Sequence, residues 1–232
     1  MATTNVNSGI DGLVRQSSTI SYANAVGGSG NFNLSTVNQV ANVKSGITFF
    51  CGRTYYRFDT TGIATDQVAS AATITLDMNS QRGSTADDTE VHKFFNSTDH
   101  SSTFGSALFD TVGDAVSDEV DVGNTLGATL VFTLDSTGLA YINTQIAAGN
   151  QCAFLQRCQN DFEASPSDPA GINFRAFSDF EDGVTSERPI LSITHDTGVS
   201  GFGHDVISVA SANISKVNGV ATANIGKVIS VD

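Results

Sequence analysis

The sequence predicts an all-β protein: a jelly-roll β-sandwich with one short helix and a C-terminal β-hairpin or extended tail. Three observations carry this expectation. Ile47–Thr60, ITFFCGRTYYRFDT, holds the densest run of β-branched and aromatic residues in the chain and reads as a central strand. About ten short runs of strand character recur with no strand–helix–strand rhythm, which favours two packed antiparallel sheets. The composition agrees, because 22 glycines against 3 prolines suit many strands joined by Gly, Asn, Asp and Ser turns.

Taken in order, residues 1–10 read as a polar arm and residues 11–196 as the sandwich. Asp11–Arg15 and Ser18–Tyr22 can each form a short strand, and Ala25–Asn31 (AVGGSGN) is a loop. Asn33–Val43 alternates weakly. In the central run, Tyr56 and Phe58 share one face, with Tyr55, Arg57 and Asp59 on the other. Thr73–Met78 follows, with Ile74, Leu76 and Met78 on one face, then a polar loop over Gln81–Asp88 and a strand at Glu90–Phe95. Ser97–Val122 is loop-rich and acidic. Ala128–Leu134 alternates through Leu130, Phe132 and Leu134. Leu139, Ile142 and Ile146 then fall at helical spacing, with Ser136 or Thr137 able to cap the start and Gly149 the end. Gln151–Arg157, Gly171–Ser178 and Arg188–His195 complete the strands. Pro189 sits at a strand start, where a missing N–H is tolerated.

Residues 197–204 read as a linker and 205–232 as a tail. Within the tail, Asn213-Ile-Ser-Lys-Val recurs at Asn224-Ile-Gly-Lys-Val. Asn218-Gly219, flanked by Val217 and Val220, is a strong two-residue hairpin signal, because both residues tolerate positive φ. An isolated hairpin is marginal in water, so the tail is expected to pack on its own body or on another chain. Ile214, Lys216, Val217, Val220, Ile225, Lys227 and Val228 are the candidate docking residues. The first and last members of the set belong to separate copies of the repeat.

Charge separates the same two regions. Residues 1–200 hold 9 basic and 22 acidic side chains, while residues 201–232 hold 2 of each. A body this acidic repels phosphate backbones, which argues against nucleic acid as a partner. No apolar run approaches the length of a membrane helix, which is roughly 18 residues or more. The N-terminus shows neither a basic n-region nor an apolar h-region, so synthesis in a cytoplasm without a signal peptide is expected. Cys51, Cys152 and Cys158 form no CxxC pair, and buried free thiols in a reducing compartment are the simpler expectation.

Several blocks resemble the disaggregatase-related, DNRLRE-type jelly-roll modules. They are Asp11-Gly12-x-Val14, TYYRFDTTGI at 54–63, ATITLDM at 72–78, FTLDSTGLAYINTQIAAGN at 132–150, Asn160-Asp161, INFRAFSDFEDG at 172–183 and SERPILSITH at 186–195. The resemblance implies a jelly-roll sandwich of a kind found as carbohydrate-associated appendages and surface repeats. The tail resembles a segment of many bacteriophage virion structural proteins, standing here as ISKVNGV at 214–220 and, degenerately, IGKVISV at 225–231. Together the two resemblances imply a non-enzymatic virion component in capsid decoration, neck or tail. Its expected partners are other virion proteins and further copies of itself. The alternative they imply is a carbohydrate- or receptor-binding module of a tail fibre or cell surface.

The residues themselves point to little chemistry. Sugar rings are commonly gripped by exposed Trp or Tyr, and this chain has no Trp and 4 Tyr (Tyr22, Tyr55, Tyr56 and Tyr141). Of Tyr55 and Tyr56, which straddle a strand, one is expected to face the core. Asp161, Glu163, Asp179, Glu181 and Asp182 lie near strand ends and read as solvated loop charge rather than a glycosidase pair. The acidic run Asp110–Asp121 offers oxygen ligands for calcium but lacks the DxDxDG spacing of a compact calcium loop. The pairs His195-Asp196 and His204-Asp205 match no zinc spacing. No catalytic residue, metal or cofactor is therefore expected. Arg53, Arg57 and Asp59 are expected to make cross-strand pairs.

Overall fold

A computed structural model describes residues 1–27, 31–35, 38–83, 90–100, 104–123, 125–163, 168–169, 172–177, 187–197, 216–217 and 220–221. These residues form an antiparallel β-sandwich, as the jelly-roll reading expects. The strands are β1 (Ala2–Ser18), β2 (Asn31–Ser35), β3 (Asn38–Ser45), β4 (Thr48–Phe58), β5 (Gln67–Gly83), β6 (Val91–Ser97), β7 (Val112–Ala115), β8 (Val120–Asp121), β9 (Thr129–Thr133), β10 (Cys152–Cys158), β11 (Ile172–Phe177) and β12 (Ile190–Thr197). Helix α1 covers Tyr22–Val26, α2 Ser136–Ala147 and α3 Gln159–Phe162, and a 3-10 turn spans Ser106–Asp110.

Two long strands create the two layers. The first half of β1, Ala2–Asn7, pairs with β12, and its second half, Ser8–Ser18, pairs with β4. Gly9 is the extra residue at the register shift between them, and such a bulge bends a strand from one sheet into the next. Strand β5 behaves likewise: Gln67–Thr75 pairs with β12, and Met78–Gly83 pairs with β11. The first sheet is thus β9–β5–β12–β1. The second runs β2–β1–β4, with β10–β6 on one half of the far edge of β4 and β3–β11 on the other half. The pairings β1–β12–β5–β11–β3–β4–β1 close on themselves.

Between the sheets lies a core built on phenylalanine. Phe94 meets Phe132 edge-on at 4.9 Å and Phe154 at 6.3 Å, while Phe58 meets Phe154 at 6.0 Å. Ile74, Leu76 and Met78 of β5, Leu191 and Ile193 of β12, and Ile142 and Ile146 of α2 complete it. A second cluster lies on the other face of the second sheet, where Val14, Cys51, Tyr55 and Leu155 pack under Tyr22 and Ala25 of α1 and Leu108 and Phe109 of the 3-10 turn. Strand β4 is therefore covered on both sides, and Cys51 through Tyr56 are all buried.

The structure corrects the sequence reading in several places. Residues 2–7, expected as a polar arm, are the first half of β1. Tyr22 opens a helix rather than closing a strand, because the Ser21 hydroxyl accepts from Asn24 N at 3.2 Å and caps it. The 33–43 run is two strands. Among the described residues there are three short helices where one was expected. Helix α2 is capped by Asp135, whose Oδ1 accepts from Gly138 N at 2.9 Å, and not by Ser136 or Thr137. Gly149 does end it, at φ +66°. Asp196 and Thr197, placed around the linker start, belong to β12, and residues 198–204 lie outside the described residues.

Candidate functional site

Of the tail residues singled out by sequence, Lys216 and Val217 form β13 and Val220 and Ala221 form β14. Val217 pairs with Val220 and Lys216 with Ala221, the register expected of a hairpin with a two-residue connection; Asn218 and Gly219 lie outside the described residues. Ile214, Ile225, Lys227 and Val228 lie outside the described residues. Among the described residues these two strands pair only with each other, in a sheet separate from the sandwich. The circuit of the main sheet closes without them, since its pairings β1–β12–β5–β11–β3–β4–β1 involve strands of residues 2–197 alone.

The tyrosines do not form a stacking platform. Tyr22, Tyr55 and Tyr56 are fully buried and Tyr141 nearly so. Both Tyr55 and Tyr56 face a core, where one had been expected to, because β4 has apolar layers on both sides. The Tyr141 hydroxyl is used structurally, donating to Ala153 O at 3.0 Å and accepting from Ala153 N at 2.9 Å.

Buried ions were the residues the sequence reading missed. Asp161, taken for solvated loop charge, is 2% exposed and sits at the start of α3. Arg53 Nε and Nη2 donate to its two oxygens at 2.8 and 2.7 Å, and Arg157 Nε and Nη2 donate to the same pair at 2.8 and 3.1 Å. Burial alone would raise the Asp161 pKa, but the two guanidinium groups overcome that cost and hold it at about 2. Arg53 stacks on Phe109 at 3.8 Å and also donates to Phe109 O and to Val26 O. One arginine of β4 thus ties α1, the 3-10 turn and α3 to the second sheet. The cross-strand pair expected of Arg53 is replaced by a pair with α3, and the Asp59 carboxylate, expected to pair likewise, accepts from Thr61 N and Oγ1 at 3.2 and 2.6 Å in the following turn. The Arg157–Asp161 spacing of four residues was the visible signal.

A second polar chain threads the main core. Tyr56 OH donates to Gln156 Oε1 at 2.9 Å, Gln156 Nε2 meets His92 Nδ1 at 3.0 Å, and His92 Nε2 lies 3.6 Å from Glu90, which lies 3.5 Å from Arg175 Nη1. None of the five is more than 5% exposed. His195 bonds Thr4 Oγ1 at 2.8 Å and Gln67 Oε1 at 3.0 Å, joining β1, β12 and β5. Asp196 is exposed and pairs with the N-terminal ammonium at 3.2 Å. His204, Asp179, Glu181 and Asp182 lie outside the described residues. Among the described residues no group of three or more His, Cys, Asp or Glu side chains is placed to hold a metal ion.

The three cysteines are free and buried, Cys51 and Cys152 within strands as read from the sequence and Cys158 at the end of β10. Burial pushes all three thiols up, Cys152 to about 12. No helix of the described residues is long and apolar enough to cross a membrane.

No family model matches the chain, and no curated protein matches it. A solved structure of infectious bursal disease virus, Gx strain, aligns over 84% of this chain and 60% of its own, at 8% identity and a TM-score of 0.15. The chain therefore spans under two thirds of that protein, and at this TM-score the alignment bears on neither fold nor function.

Proposed function

We propose that this chain is a non-enzymatic structural subunit of a bacteriophage-type virus particle. The jelly-roll body is displayed, and residues 201–232 dock to the particle or join copies of the chain. The supporting observation is the strand pairing of the described residues: the circuit β1–β12–β5–β11–β3–β4–β1 closes by Thr197, and the described tail strands pair only with each other. A neutral, Val- and Ile-containing segment that adds no described strand to that circuit gains by burying itself on a partner. The virion resemblance of ISKVNGV supports a particle protein as that partner. The reading covers capsid decoration, neck and tail positions alike, with the chain made in the host cytoplasm and carried in the virion.

Removing residues 201–232 tests it. The expected product is a folded, soluble body that no longer enters its assembly; a body that misfolds would make the tail part of the core. A glycan array probed with the intact chain addresses the carbohydrate alternative, which the burial of all four tyrosines disfavours. Specific, saturable glycan binding would overturn the purely structural role.

A further inference from the structure

Apart from Met1, the most solvent-open large apolar side chains among the described residues are Ile20 and Ile47, each 77% exposed. Both stand at one end of the second sheet. Ile47 occupies the turn of the β3–β4 hairpin, which closes at Ser45–Thr48, and Ile20 follows the last pair of the β1–β4 ladder, Ser18–Phe49. The same end is cationic. Exposed Lys44 lies over the Phe49 ring at 5.1 Å, and Arg15 lies over Phe50 at 4.7 Å. The stretch Gly12–Phe58 contains 4 basic residues and no acidic one, while the rest of the chain contains 7 basic and 24 acidic. Of those four, Arg15 and Lys44 stand at this end, Arg53 is spent on Asp161 in the interior, and Arg57 lies towards the opposite end of β4, beside Ile10 and Ala153. Asp168 reaches this region from outside the stretch and accepts from Tyr22 N at 2.8 Å.

Two exposed isoleucines flanked by cations complement a surface rich in carboxylates, and the chain carries a run of exposed carboxylates. Asp110, Asp114, Asp118, Glu119 and Asp121 are all exposed within a dozen residues, with Glu119 3.6 Å from Lys93. We propose that the Ile20–Ile47 tip docks on the acidic 110–121 surface of a second copy of this chain, a contact separate from the C-terminal segment. The contact joins unlike surfaces, so it closes as a two-fold pair with each tip on the other copy's acidic surface, or it repeats head to tail. Head-to-tail contacts of this kind close into rings or extend as arrays.

Sedimentation velocity on the intact chain over a concentration series tests this. The expected weight-average mass rises with concentration and falls when salt is added. Ile47→Asp, Lys44→Glu, and the pair Asp114→Lys with Asp118→Lys should each lower the association constant by roughly tenfold or more while keeping the parent circular dichroism melt. An equimolar mixture of the Lys44→Glu chain with the Asp114→Lys/Asp118→Lys chain should restore association, because each then offers the charge the other lacks. A chain that stays monomeric, association that survives the tip variants, or a mixture that restores nothing would overturn the proposal. So would a monomer that instead co-sediments with phosphatidylserine-containing vesicles, which would make the tip a membrane contact.

Discussion

Replacing Asp161 by Asn probes the cap over the second sheet. The carboxylate receives four N–H bonds from Arg53 and Arg157 and is 2% exposed. Its folded pKa of about 2, against about 3.9 in an unfolded chain, corresponds to about 2–3 kcal/mol of stability. The group's pKa is depressed on folding, so this contribution is complete above about pH 4 and is lost as pH falls through about 2. Asn also leaves the buried Arg53 guanidinium without its counter-charge. Breaking a buried pair from one side costs about 3–5 kcal/mol in total. Urea unfolding of both proteins, repeated from pH 7 to pH 2, should show that gap at neutral pH and a gap narrowed by about 2 kcal/mol at the acid end. A difference below about 1 kcal/mol at pH 7, or one that does not change with pH, would refute the assignment of Asp161 as an ionised buried anchor.

Three further outcomes follow from buried contacts. Native protein should leave Cys51, Cys152 and Cys158 unreactive toward a thiol-disulfide reagent at pH 8, with all three titrating once denaturant is added, because their thiols are buried and held protonated. Tyr141→Phe strands the buried Ala153 N–H and should cost about 1–3 kcal/mol in the same urea assay. Gly138→Ala sets a methyl against Val116 O and within 3.0 Å of Leu134 Cβ, and should lower thermal stability by about 1–3 kcal/mol although alanine is the better helix former.

Local alternation read well where one face met the main core. Ile74, Leu76 and Met78, and again Phe132 and Leu134, point inward as their spacing implied. Val217–Val220 pairing followed from the Asn-Gly signal. Alternation misled on β4, because the rule assumes one solvated face and this strand has none; the unbroken apolar and aromatic content of 49–58 was the hint. The first half of β1 gave no signal because its outward Thr3, Asn5 and Asn7 are exposed on an otherwise modest edge strand. The Arg53–Asp161 pair was invisible for a different reason. Its members are 108 residues apart, and only the folding of α3 against β10 and β4 brings them together. The exposed Ile20 and Ile47 were equally hidden, since nothing local distinguishes an apolar residue at a sheet end from one inside it.

The central claim is that residues 201–232 serve assembly while the sandwich stands without them. Hydrogen exchange and thermal unfolding of a chain ending at residue 200, beside the full chain, test it most directly. The account predicts the same protected strands β1, β4, β5, β10 and β12, an unfolding midpoint unchanged within a few degrees, and loss of incorporation into particles. A truncated body that aggregates or loses protection in β12 and β1, or one that is still incorporated, would contradict it.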